Sequence, residues 1–226
     1  MNIRHTTLAD CHDARGVVVV VDVLRAFTTT AFAFSQGAEE IHLDSTVDEA
    51  FAMKDSDPEL LLAGEVDGYP IDGFDLPNSP AAMLNHNLTG RRLAMRTTAG
   101  TQGVVRSNEA DHLFVAALTN ASATTRAIED LVPDQVAFVN TGIRVNGGEE
   151  DVACSEFIEA MLKGETPDPE AAMEQVRNAR AAIKFHEHDG SDFPTADLEL
   201  ALQVDRFDFA MSVVREQGRL VLFKAK

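Results

Sequence analysis

Residues 17–30 read VVVVVDVLRAFTTT, and this stretch decides the fold. Val17 to Val21 shows no polar alternation, which is the pattern of a strand covered on both faces and favours a parallel sheet. Asp22 stands where that strand ends, at the edge where open α/β sheets place their ligands. Arg25, Thr28, Thr29 and Thr30 then open a predicted helix, whose free amides and dipole favour an anion. An acid, a guanidinium and several hydroxyls around one N-terminus are the parts of a phosphate site with a metal. The plainer reading is a buried strand, a capping Asp and threonines that only pack.

Working outward, strand and helix signals alternate along the whole chain. Strands are expected at 40–43, 60–63, 92–97, 113–118 and 136–140, with further strand-like stretches at 208–214 and 220–223. Helices are expected from the end of the valine run to about Gln36 with Gly37 as C-cap, and over 46–54, 151–162 and 170–185. In the last of these, Met173, Val176 and Ile183 fall on one packed face. Residues 64–80, GEVDGYPIDGFDLPNSP, form a long ordered loop of a kind that is commonly functional. Four strands run out into small polar residues: Asp22, Thr97-Thr98, Thr119-Asn120 and Asn140-Thr141. If those strands are parallel, their ends surround one pocket. The expected fold is α/β, layered α/β/α around a largely parallel or mixed sheet. It is read as one domain over 1–226, with two similar subdomains divided near 125–145 as the alternative.

Composition limits the function. The chain has 226 residues, 45% hydrophobic and 25% charged, an ordinary globular balance. Its net charge of −18, from 37 acids against 19 lysines and arginines, argues against nonspecific nucleic-acid binding and against a basic membrane patch. An anionic substrate must therefore meet a metal ion or a few concentrated cations. Cys11 and Cys154 are too few for a disulfide framework. Residues 1–16 hold no apolar signal core and no run is long enough to span a membrane, so a soluble cytoplasmic protein is expected. No dimerisation stripe is apparent, and a homo-oligomer stays open.

The segments VVVVVDVLRAFTTT, LLLAGEVDGYPIDGFDLPNSP, RTTAGTQGV and LTNASAT, in this order and spacing, resemble the 2-phosphosulfolactate phosphatase family. Glu149-Glu150-Asp151 with Cys154, and Asp208 with Gly218-Arg219-Leu220, extend the likeness over nearly the whole chain. The resemblance implies a Mg²⁺-dependent phosphatase making sulfolactate in the coenzyme M pathway, or acting on a related small phosphorylated acid. It places Asp22, Arg25, Thr28 and Thr29 in the first motif and Glu65, Asp75, Asn78 and Ser79 in the second. Thr97, Thr98, Gly100 and Thr101 fall in the third, Asn120 and Ser122 in the fourth, and Glu150 and Asp151 in the fifth. Three positions depart from it: Ala99 for a common Asn, Val66 for an Arg after Gly-Glu, and Pro77 for a common Gly. Losing that Arg should weaken recognition of a sulfonate-bearing substrate.

These residues sort by chemistry. Magnesium prefers oxygen ligands, and the candidates are Asp22, Glu65, Asp75, Glu150 and Asp151. Asp22, Arg25 and Glu65 are the expected catalytic groups. Thr28, Thr29, Asn78, Ser79, Thr97, Thr98, Gly100, Thr101, Asn120 and Ser122 are the expected substrate-binding ones. Either water or Asp22 attacks phosphorus; Leu24, two residues beyond Asp22, rules out a DxD motif. A noncatalytic anion-binding homologue, or a phosphotransferase or lyase on the same scaffold, are the alternatives. Cys154 reads as core packing inside a helix, His42 and His112 as surface or strand-edge histidines. His186, Glu187, His188 and Asp189 lack the spacing of a metal site.

Overall fold

The computed structural model describes residues 1–142, 148–187 and 192–225. His188 and Asp189 of the histidine tract lie outside them. Among the described residues the strands are β1 (Asn2–Thr7), β2 (Val17–Val21), β3 (Glu40–Leu43), β4 (Leu61–Gly64) and β5 (Leu76–Pro77). They continue with β6 (Arg92–Arg96), β7 (His112–Ala116), β8 (Gln135–Asn140), β9 (Ala210–Glu216) and β10 (Arg219–Ala225). The α-helices are α1 (Ala26–Ser35), α2 (Val47–Ser56), α3 (Pro80–Leu84), α4 (Gly100–Arg106) and α5 (Ala121–Asp130). The C-terminal half adds α6 (Glu149–Leu162), α7 (Pro169–Asn178), α8 (Arg180–Glu187) and α9 (Thr195–Ala201).

All ten strands join one mixed sheet in the order β1-β8-β2-β7-β9-β10-β3-β6-β4-β5. The first four are mutually parallel, as are the last four. Between them the antiparallel hairpin β9–β10 pairs antiparallel with β7 on one side and β3 on the other. The two parallel groups thus run in opposite directions along a curled sheet.

The valine run explains how both faces are covered. Val18 and Val20 pack inward with Phe27, Phe34, Ile41, Leu93, Met95 and Val104, so α1 and α4 lie inside the curl. Val17, Val19 and Val21 face the other way, onto Ile128, Cys154, Ile158, Val176 and Phe185 of the outer helices. A third cluster, with Ala50, Met53, Leu60, Leu62 and Ala94, seats α2 on the outside of the second strand group. Burying such side chains contributes roughly 1.5–3 kcal/mol each.

Local signals set several boundaries. Thr46 and Glu49 form a reciprocal capping box at the start of α2. Gly37, at φ +98°, accepts the left-handed turn after α1. The stretch 170–185 is two helices, because extended Ala179 interrupts it. The break rotates the packed face onto Ala172, Val176, Ala179, Ala182 and Phe185, leaving Ile183 47% exposed rather than packed. The loop at 64–80 carries the short strand β5 and a bridge between Val66 and Tyr69. No described helix is long and apolar enough to cross a membrane.

Candidate active site

Asp22 leaves the end of β2 and turns its carboxylate back under the first turn of α1. Its Oδ1 accepts the Ala26 amide at 3.0 Å, and its Oδ2 lies 3.3 Å from the Thr141 hydroxyl. Burial pushes its pKa up to about 6; the Glu65 charge adds to this and the Ala26 and Gly100 amides oppose it. Helix α4 presses on this carboxylate so closely that only glycine fits. A Cβ on Gly100 would stand 2.7 Å from the Ala26 Cβ and 2.8 Å from Asp22 Oδ2.

Asp151 and Glu150 come from the first turn of α6, which follows Gly148 in the left-handed region. Asp151 Oδ1 accepts the Val23 amide at 2.8 Å and its Oδ2 the Gly142 amide at 2.7 Å, tying the ends of β2 and β8 together. Its pKa is raised well above the usual carboxylate range by burial, then by the Glu150 and Asp22 charges. Glu150 is buried, and its Oε2 has no hydrogen-bond partner among the described residues. Burial pushes it up to about 7, with the Asp22 and Glu149 charges adding. The Asp22 charge thus raises both Glu150 and Asp151, and the Glu150 charge raises Asp151 further.

Glu65, one residue past β4, faces the same place from the second strand group. It accepts the Thr98 amide at 2.6 Å, the Gly68 amide at 2.5 Å and the Thr98 hydroxyl at 3.1 Å. The curl of the sheet is what unites carboxyl ends belonging to oppositely directed strands. Asp22, Leu24, Arg25, Glu65, Asp67, Gly68, Asn78, Thr98, Ala99 and Lys184 line one cavity of about 170 Å³. Asn78 brings a buried carbonyl oxygen that has no partner among the described residues.

Other expected residues serve the frame. Arg25 is buried, and its Nη1 donates to Asp197 Oδ2 at 2.9 Å and the Asp192 carbonyl at 2.7 Å, while Nη2 donates to the Gly68 carbonyl at 2.9 Å. Its guanidinium also lies over the rings of Phe193 and Phe185, at 4.9 and 5.4 Å. Three of its N–H groups are thereby directed at protein rather than at a ligand. Thr97 and Thr101 bond each other reciprocally across the turn from β6 into α4. Thr28 donates to the Val23 carbonyl, whereas the buried Thr29 hydroxyl has no partner among the described residues. Ser79 caps α3 and donates to Asp197 at 2.6 Å.

Glu150, Asp151, Gly100, Asp75, Asn120 and Ser122 are not among the described residues that line the cavity. Asp75 accepts the Leu62 amide at 2.8 Å and pairs with Lys54 at 3.1 Å, so it buttresses β4. Asn120 accepts the Ala117 amide, and the Ser122 hydroxyl donates to Asp205 at 2.5 Å. Among the described residues no three His, Cys, Asp or Glu side chains form a ready-made metal cluster. Of the departing positions, Ala99 lines the cavity, Val66 is 38% exposed in the bridge with Tyr69, and Pro77 pairs with Gly64. Cys154 is buried in the core, and burial raises its thiol pKa well above the ordinary value. His42 is partly buried beside Glu40, 3.1 Å away, and burial lowers its pKa.

Two residues of this site were not singled out from the sequence. Asp197 is fully buried and gathers Arg25, Ser79 and the Ala81 amide. Lys184 is half-buried on the cavity wall, with its Nζ 4.6 Å from the Phe193 ring centre. Burial and the nearby Arg25 lower its pKa, against the pull of Glu65, Asp22 and Glu150.

A polar cleft where strand ends converge, lined by buried carboxylates and one amine, defines an α/β protein of the enzyme type. The chain belongs to the 2-phosphosulpholactate phosphatase family, whose model matches residues 4–215. It is 36% identical over 199 residues to a probable 2-phosphosulfolactate phosphatase of Bacillus subtilis, covering 88% of this chain and 87% of that one. A protein of the same description from Deinococcus radiodurans is 39% identical over 163 residues, 72% of this chain and 68% of the relative. One from Prochlorococcus marinus strain MIT 9313 is 31% identical over 212 residues, with 83% and 85% covered.

Proposed function

We propose that this protein is a Mg²⁺-dependent phosphatase that hydrolyses 2-phosphosulfolactate, or a closely related phosphorylated acid, to the hydroxy acid and phosphate. Family membership and the names of the relatives support the substrate class. The observation that carries the metal is the buried carboxylate oxygen of Glu150, which has no partner among the described residues and feels the Asp22 charge. An unpaired charge so placed is costly, and carboxylate oxygens are what Mg²⁺ selects. Asp22 and Glu150 would hold the ion, one or two carboxylates being its usual protein share. Asp151 has both oxygens occupied by backbone amides and orients the loop ends instead. When bound, the ion supplies Lewis-acid polarisation of the phosphate.

The chain's own residues do the rest. A cavity of about 170 Å³ is of a size for a short-chain ester. With the Asp22 carboxylate committed to the ion and to the Ala26 amide, water rather than Asp22 attacks phosphorus. A bond forms from water oxygen to phosphorus, the ester P–O bond breaks, and a water proton reaches the departing alkoxide through the cavity's carboxyl groups. Glu65 holds the Thr98 and Gly68 amides in place and shapes the wall.

Phosphate release from 2-phosphosulfolactate, measured on EDTA-treated protein before and after Mg²⁺ addition, tests this reading. Turnover restored by Mg²⁺ is expected. Tight binding of the ester without any turnover would instead identify a noncatalytic anion-binding protein.

A further inference from the structure

We propose that Lys184 binds the acid group of the substrate that is not hydrolysed, its carboxylate or sulfonate, and so sets preference for phosphate esters of small acids. The inference rests on the hydrolase reading above and assigns the other end of the same site. Among the described residues the cavity is lined by two basic side chains, Arg25 and Lys184. Arg25 is fixed against two rings with its donors on Asp192, Asp197 and Gly68. Lys184 has neither a hydrogen bond nor an ion pair to a carboxylate among the described residues, although its charge is felt by Glu65, Asp22 and Glu150.

Lys184, Asp22 and Glu65 therefore share one cavity without touching, which leaves space for a ligand between them. A cation at Asp22 would place the phosphate at the acid end of the cavity. The amine end then faces whatever second anion the molecule carries. Packing over Phe193 and beside Gly68 holds the ammonium in position and keeps it partly desolvated, which strengthens a charge-assisted bond to an oxyanion.

The test compares two substrates in the full-length wild type, Lys184→Met and Lys184→Arg, with Mg²⁺ present. One substrate is 2-phosphosulfolactate; the other is p-nitrophenyl phosphate, which carries no second acid. For Lys184→Met the ratio of kcat/KM between the two esters should fall about tenfold, through KM rather than kcat, the loss of one charge-assisted bond. Lys184→Arg should recover part of that ratio. A ratio that stays at the wild-type value, whether both activities fall together or neither does, overturns the proposal. Wild-type protein that hydrolyses neither ester overturns the hydrolase reading, and calorimetric titration with sulfolactate then decides Lys184 separately. Weaker binding by Lys184→Met supports the assignment; equal affinity, or no binding by either protein, overturns it.

Discussion

At the scale of single residues, Asp22 has two tasks on two oxygens. Oδ1 accepts the Ala26 amide and so anchors α1, while Oδ2 sits among the acids of the site. Asp22→Asn keeps a carbonyl oxygen for the amide but removes the charge. The variant should fold with wild-type circular dichroism and melt within a few degrees of wild type. Its phosphate release should fall by about a hundredfold or more, the usual loss when a charge-stabilising group is removed from a reaction centre. Wild-type turnover in that variant would remove Asp22 from the chemistry. Gly100 makes the complementary case, because a methyl there meets Ala26 Cβ and Asp22 Oδ2, neither of which is the end of a flexible chain. Gly100→Ala should lower stability by about 1–3 kcal/mol in urea titrations, the ordinary cost of overpacking, and should displace Asp22 enough to depress activity.

At the scale of elements, the segments that build the cavity are tied through one buried ion pair. Asp197 of α9 accepts from Arg25 at the start of α1, from Ser79 before α3 and from the Ala81 amide. Asp197→Ala leaves the Arg25 charge buried and unpaired, which costs about 3–5 kcal/mol. Its urea midpoint should drop accordingly, and a midpoint unchanged from wild type would show that the pair carries no stability. The sequence made the β2–α1 unit legible, since a five-valine run and a following Asp have few other meanings. It did not show that Arg25 faces protein: its partners lie 43 to 172 residues away, and pattern reading reaches only neighbours. The strand β1 escaped for a related reason, because NIRHTT has little apolar content and its pairing with β8 supplies what its composition lacks. Asp75 misled because its loop looked functional, whereas its carboxylate closes the local turn onto Leu62 and Lys54.

At the scale of the molecule, the expectation that parallel strand ends surround a pocket held only in part. The hairpin β9–β10 reverses the second strand group, and the curl brings Glu65 and Thr98 back to Asp22. Strand order and curl depend on contacts between remote segments, so no local pattern could announce them. This architecture gathers buried acids within a chain of net charge −18, and that has a thermodynamic consequence. Burial raises Asp22 to about 6, the Glu65 charge adding, and Glu150 to about 7, the Asp22 charge adding. A carboxyl whose pKa is raised by folding favours the native state while protonated and loses that contribution as pH rises through the folded value. Without a cation these groups should therefore lower stability between about pH 4 and pH 7, by a total on the order of 3 kcal/mol or more. Mg²⁺ binding requires the ionised acids, so its stabilisation should be large at pH 8 and small at pH 5. Thermal melts with Mg²⁺, against NaCl of equal ionic strength, separate this from general screening of the surface charge. The expected gain at pH 8 is several degrees, at about 2–4 °C per kcal/mol for a chain of this size. An equal gain from NaCl, or the same Mg²⁺ shift at both pH values, would show that the buried acids are not the cation's site.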